Sequence, residues 1–293
     1  MQYEAPQTLD AALSLLAGAT GQARILAGGT DIMVQLHMDT TDPDMLVDIK
    51  NISELRAITE TDGAFTIGAV TTGAELGENE AVKKMWPGVV EGLELIGSTQ
   101  VQGRATIGGN LCNASPAADV IPALIAANAI TNVVGPNGSR EVAAEDIPVG
   151  PGKTSLAQDE IVVSISFPAR GARAGDAYLR FIPRTEMDIA VVGVGISLEV
   201  DEAGVCTQAR VGLGAVAEKA LLVPEAAATL IGTSLDDAAM EKLAAAISAA
   251  CRPINDRRGT IEFRTDVAGV MARRTAKIAY DRAVGEVEWQ NNT

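Results

Sequence analysis

Residues 104–119 read R-A-T-I-G-G-N-L-C-N-A-S-P-A-A-D, and a shorter counterpart, A-G-G-T-D, stands at residues 27–31. Each is a glycine pair followed by small polar residues, and each adjoins a predicted helix start. Glycine lets a backbone approach a ligand closely and take up angles closed to other residues. Consecutive amides in such turns, and the free N–H groups of a helix start, hold anions. Two such turns clasping one diphosphate from both sides would make a dinucleotide site.

Working outward, Asn110, Asn113, Ser115 and Asp119 set four polar groups before a run, A-D-V-I-P-A-L-I-A-A-N, too apolar to be exposed. Polar groups beside a buried helix need partners, which a ligand or simple helix capping can supply. The chain has 293 residues, 47% hydrophobic and 21% charged, enough for two ordinary domains with their own cores. Only nine residues are aromatic, so the interior is expected to be small and aliphatic.

A net charge of −15 argues against nucleic acid as a partner. Cys112, Cys206 and Cys251 lie far apart without a Cys-x-x-Cys pair, which argues against zinc or an iron–sulfur cluster in this chain. His37 is the single histidine and reads as structural. The first residues lack the basic and apolar regions of a signal peptide, and the most apolar run is too short to span a bilayer. A soluble, cytoplasmic protein with no transmembrane segment is expected.

Hydrophobic spacing predicts a capped helix after Thr8 and a strand at 24–27. A short helix from Thr30 or Asp31 to residue 38 and strands at 45–49 and 65–70 complete a βαβ-like opening. Helices are expected at 86–96 and 118–128, a hairpin over 132–142 and a strand at 160–167. Beyond a loop at 168–175 come strands near 177–182, 190–200 and 209–216, then helices at 235–250 and 261–283. Two motifs mislead. Pro151-Gly-Lys-Thr-Ser resembles the end of a P-loop, but Ile147 stands where its first glycine belongs and no helix follows. Gly212-Leu-Gly214-Ala-Val-Ala217 has a Rossmann spacing, yet Pro224 cuts off the helix it needs, so tight strand packing is the better reading.

A-G-G-T-D together with T-I-G-G-N-x-x-x-x-S-P-x-x-D closely resembles the FAD-binding medium subunit of molybdenum hydroxylases. That family includes the medium chain of aerobic carbon monoxide dehydrogenase and the flavin domain of xanthine dehydrogenase, and the similarity runs over nearly the whole chain. It implies an α+β fold: a two-subdomain FAD-binding domain of the vanillyl-alcohol-oxidase/PCMH type, then an α+β domain with a three-stranded antiparallel sheet and helices. The expected division is 1–175, with subdomains of about 1–55 and 56–175, and 176–293.

The same resemblance assigns FAD contacts to Ala27, Gly28, Gly29, Thr30, Asp31 and Ile32 on one side. Ala105, Thr106, Gly108, Gly109 and Asn110 serve on the other, with Asp119 toward the ribityl or ribose region. Val162, Arg180 and Ile189 are expected near the flavin ring, Arg180 in the place of a lysine. No catalytic side chain and no metal ligand is expected, because the flavin carries the chemistry. Glu186-Met187-Asp188-Ile189 departs from the carbon monoxide dehydrogenase pattern toward that of xanthine dehydrogenase, which leaves the substrate open. The implied role is an electron-transfer subunit beside a large molybdopterin subunit and a small subunit with two [2Fe-2S] clusters, as a dimer of heterotrimers. Electrons would leave to quinone or NAD. A self-contained flavin oxidase and a non-catalytic assembly protein are the alternative readings.

Overall fold

The computed structural model describes residues 1–184 and 187–285. A small parallel sheet opens the chain: β1 (Gln2–Glu4), α1 (Leu9–Ala17), β2 (Ala23–Leu26), α2 (Ile32–His37) and β3 (Met45–Asp48). β3 lies between β1 and β2 and pairs parallel with both. Thr8 starts α1 as expected, its Oγ1 accepting the Ala11 amide at 3.3 Å. Ala12 and Leu16 then bury against Val47, Ile49 and Ile52.

The chain continues through β4 (Ile58–Thr61) and β5 (Ala64–Gly68) into short helices: α3 (Gly73–Gly77), α4 (Glu80–Met85), α5 (Pro87–Glu94), α6 (Thr99–Gln102), α7 (Ile107–Asn113) and α8 (Val120–Ala126). β6 (Ile130–Gly135) and β7 (Gly138–Ala143) form the expected hairpin, β8 (Pro148–Gly150) and β9 (Lys153–Thr154) a second tight one. β10 (Ile161–Phe167) returns to the centre. The resulting sheet runs β4-β5-β10-β6-β7, antiparallel throughout. The strand expected at 65–70 therefore belongs to this second sheet and not to the opening βαβ unit. Residues 107–113 form a helix that glycine-rich I-G-G-N did not announce, and the helix expected over 118–128 is confined to 120–126.

The last part is β11 (Ala174–Phe181), β12 (Val192–Val200), β13 (Cys206–Gly214), β14 (Leu221–Leu222), α9 (Pro224–Ala228), α10 (Asp237–Ala250) and α11 (Ile261–Val284). Its antiparallel sheet has four strands in sequence order where three were expected. The fourth, β14, is only two residues long because Pro224 ends it, too short to show alternation. α11 starts at Thr260, whose Oγ1 accepts the Phe263 amide at 3.1 Å, and stops at Gly285 in the left-handed region. The closing residues 286–293, part of the domain expected over 176–293, lie outside the described residues.

The two large sheets meet through α8. Its residues are buried all round, and Pro122 sits in the first turn, where an amide would lack an intrahelical partner anyway. A Cβ on Gly195 or Gly212 would stand 2.5 or 2.1 Å from the Pro122 carbonyl oxygen. The Gly212 pattern is thus tight strand packing, as its sequence context indicates. Among the described residues, no helix is long and apolar enough to cross a membrane.

Candidate functional site

The two glycine turns touch. A Cβ on Gly28 would lie 2.0 Å from the carbonyl oxygen of Arg104, so only glycine lets the first turn rest on the second. Between them opens a cavity of about 370 Å³. β2 delivers the first turn and α2 follows it, while the second turn is the first turn of α7.

The turns differ in what they offer. In α7 the amides are already used: Ile107 donates to the Thr71 carbonyl at 3.1 Å and Gly108 to that of Ala69 at 2.9 Å. Gly109 donates to Thr106 Oγ1 at 3.0 Å and Asn110 to the Thr106 carbonyl at 2.9 Å. A Cβ on Gly109 would meet Thr106 Oγ1 at 2.6 Å, so that glycine serves the cap as well as any ligand. In the first turn, by contrast, the amides of Gly28, Gly29, Thr30 and Asp31 have no acceptor among the described residues. Gly29 holds φ +83°, which an L side chain resists. Four successive open amides form an anion cradle. The sequence credited both turns with free amides; the structure leaves them on one.

Twelve of the fifteen expected contact residues line this one cavity: Ala27, Gly28, Gly29, Thr30, Asp31 and Ile32, with Ala105, Thr106, Gly108, Gly109, Asn110 and Val162. Stripping of water raises the Asp31 carboxyl above its ordinary value, although Thr30 and Asn113 donate to it. Gln35, Ala69, Cys112, Asn113, Gly152 and Thr154 also line the cavity. Of these, Asn113 belonged to the polar set seen in the sequence. Gly152 and Thr154 come from the P-loop look-alike, which is a β-hairpin turn with Gly152 at φ +66°. Burial pushes the Cys112 thiol up to about 12, so it stays protonated and is a poor nucleophile.

Asp119 and Arg180 lie beside the cavity lining, joined to each other. Arg180 Nη1 donates to Asp119 Oδ2 and the Tyr178 hydroxyl to Asp119 Oδ1, both at 3.0 Å. The Val120 amide, next in the chain, reaches Asn110 Oδ1 on the cavity wall at 3.4 Å. Arg180 is almost fully buried, and its Nε has no partner among the described residues. Burial raises Asp119 to about 6, against the opposing pull of Arg180 and Tyr178. Tyr178 carried no signal as a site residue: a tyrosine in a strand looks like core. Ile189 stands apart from the cavity lining and is half exposed, following Asp188, whose carboxylate pairs with Arg184. Thr185 and Glu186 of that segment lie outside the described residues.

The donor set fits a diphosphate-bearing cofactor: an open amide run from Gly28 to Asp31 beside a half-open cleft of about 370 Å³. Comparison with known proteins agrees. Residues 1–170 match the family described as the FAD binding domain in molybdopterin dehydrogenase, and residues 177–279 the CO dehydrogenase flavoprotein C-terminal domain. The xanthine dehydrogenase FAD-binding subunit of Escherichia coli O157:H7 is 31% identical, with 98% of each chain covered. The carbon monoxide dehydrogenase medium chain of Afipia carboxidovorans is 34% identical, covering 96% of this chain and 97% of that one. In the solved carbon monoxide dehydrogenase from Hydrogenophaga pseudoflava, a chain superposes with a TM-score of 0.92 at 33% identity, covering 96% of this chain and 98% of that chain. The chain therefore belongs to the FAD-binding medium subunits of molybdopterin hydroxylases, as the flavin component of an oxidoreductase.

Proposed function

We propose that this chain is the electron-transfer subunit of a heteromeric molybdenum hydroxylase, with FAD held in the cavity between the two glycine turns. The open amides of Gly28 to Asp31 are the observation that carries this reading. In it, they bind the diphosphate from one side, while Thr106, Gly108, Gly109 and Asn110 form the opposing wall and Ile32, Ala105 and Val162 exclude water. Asp119 orients the ribityl or ribose region. Arg180, steadied by Asp119, and Ile189 face the ring, and the positive charge of Arg180 favours electron density there. FAD held there would supply the redox chemistry, linking [2Fe-2S] clusters of a small subunit to quinone or NAD as acceptor. Substrate oxidation belongs to a large molybdopterin subunit, in a dimer of heterotrimers. The division of labour falls near residue 175, with the cofactor domain before it.

Titrating FAD into the cofactor-stripped chain tests the cradle. Gly29→Val, which cannot keep φ +83°, should weaken FAD binding at least tenfold. Gly138→Val, equally strained at φ +104° but on the β6–β7 turn, should leave it unchanged. Equal affinity in wild type and Gly29→Val would show that these amides do not hold the cofactor.

A further inference from the structure

A diphosphate diester carries two negative charges, and the cavity between the glycine turns is short of positive ones. Among the described residues lining it, the ionisable side chains are Arg24 on β2, Asp31 closing the first turn, Cys112 on α7 and Glu160 just before β10. Cys112 is neutral, and Glu160 is held at 2.7 and 2.8 Å by Arg140, which stands outside the lining. His37, Arg104, Lys153 and Asp159 lie close to lining residues in sequence without lining the cavity themselves, and Asp119 faces Tyr178 and Arg180. Asp31 has no cationic partner among the described residues; its carboxyl faces Thr30 of its own turn and Asn113 of α7. Gln35 Nε2 reaches Asn113 Oδ1 at 3.4 Å, so the Asn113 amide nitrogen is the end turned to Asp31.

We infer that Asp31 holds the cofactor as a neutral acid: its carboxylate takes a proton from solvent as the diphosphate enters, and the resulting O–H donates to a phosphate oxygen. The inference rests on the reading above that FAD occupies the cavity. Position carries it. Asp31 lines the cavity, and its backbone amide is the last of the four open ones, so a phosphate held there stands within one residue of its carboxyl. Two like charges that close are not both kept where the ligand displaces water, and the weaker acid takes the proton. A diphosphate diester is a far stronger acid than a carboxylic acid, so the proton goes to Asp31. Partial loss of water already raises that carboxyl with the cavity open. A bridging divalent cation would answer the same repulsion, but it needs several oxygen ligands. No group of three His, Cys, Asp or Glu side chains able to hold one occurs among the described residues. A group that binds its proton more tightly in the complex favours binding at low pH, and that contribution is lost as pH rises.

Calorimetric titration of FAD into the cofactor-stripped chain, in buffers of different ionisation enthalpy, counts the protons. The groups of FAD itself keep their protonation between pH 6 and 8. Wild type should take up at least about half a proton per FAD at pH 7, with affinity falling about three- to tenfold per pH unit from 6 to 8. Asp31→Asn, which keeps a donor and drops the charge, should bind without uptake, without pH dependence, and more tightly than wild type at pH 8. Asp31→Ser, a second uncharged variant, should likewise take up no proton, while Asp42→Asn, exposed beyond α2, should behave as wild type. FAD binding by wild type without proton uptake overturns the inference. So does uptake that persists in Asp31→Asn, which would put the proton on Asp119, or wild-type affinity at pH 8 that magnesium restores and EDTA removes. ADP-ribose, the same diphosphate diester without a flavin, separates the two readings. If FAD fails to bind while ADP-ribose binds with an uptake that Asp31→Asn abolishes, the cofactor reading falls and the proton at Asp31 stands. If neither binds, both fall.

Discussion

Asp119 carries its charge where water is scarce, and burial lifts its carboxyl from the ordinary 3.8 to about 6. Between those values the folded chain holds a proton that the unfolded chain has released. Stability contributed by this group therefore falls as pH rises from 3.8 to about 6, then levels off. Asp119→Asn should flatten that part of the profile in urea unfolding measured from pH 4 to 7. A profile parallel to wild type would show that Asp119 titrates normally. The Tyr178 hydroxyl, pushed well above 10, stays a donor across this range. The glycine turns were legible because their meaning is local: small residues, adjacent in sequence, in a spacing few other sites need. The Asp119–Tyr178 and Asp119–Arg180 bonds were not, since they join residues 59 and 61 apart. Only the fold brings them together.

At the scale of elements, glycine served two ends that the sequence could not tell apart. In α7 it opposes helix formation by about 1 kcal/mol per residue relative to alanine. The helix forms because Thr106 caps it and because it presses against β5's end, where a Cβ on Gly108 would sit 2.7 Å from Ala69. In β12 and β13 glycine admits α8. Gly212→Ala would force a methyl into the Pro122 carbonyl and should destabilise the chain by about 3 kcal/mol, measured by denaturant midpoint at unchanged slope. A loss under about 0.5 kcal/mol, within surface-substitution scatter, would mean that α8 rests loosely on the sheet. The long periodic elements, α10, α11 and β10 to β13, were readable from spacing. β1, β8, β9 and β14 span two or three residues each, too few to carry a period, and exist through their neighbours.

Across the whole molecule, a buried charge cluster fixes the C-terminal sheet to the cofactor-binding part. Asp176 on β11 accepts the Gly88 amide of α5 at 2.8 Å and pairs with Arg170 at 2.8 Å, whose guanidinium lies 4.2 Å from the Trp86 ring centroid. Glu91 of α5 accepts the Tyr178 amide at 2.8 Å and Arg282 of α11 at 2.5 Å. Glu91 and Arg282 are part-buried, so removing one member leaves the other partly desolvated without its partner, at a cost of about 1–3 kcal/mol. Arg282→Met should lower the unfolding free energy by that order at pH 7, while Lys277→Met, on the exposed side of α11, should change it by less than about 0.5 kcal/mol. Equal effects would show that the cluster does not hold the parts together. None of these partners was visible in the sequence, where scattered charges look like a solvated surface; the family pattern conveyed the architecture, but not what bolts it together. The unequal turns also bear on biogenesis. The α7 wall is saturated by Thr71, Ala69 and Thr106, so it stands finished before any cofactor arrives. In the proposed reading only the loop at Gly28 to Asp31 has amides left for the cofactor. Such a chain would fold first and be loaded afterwards.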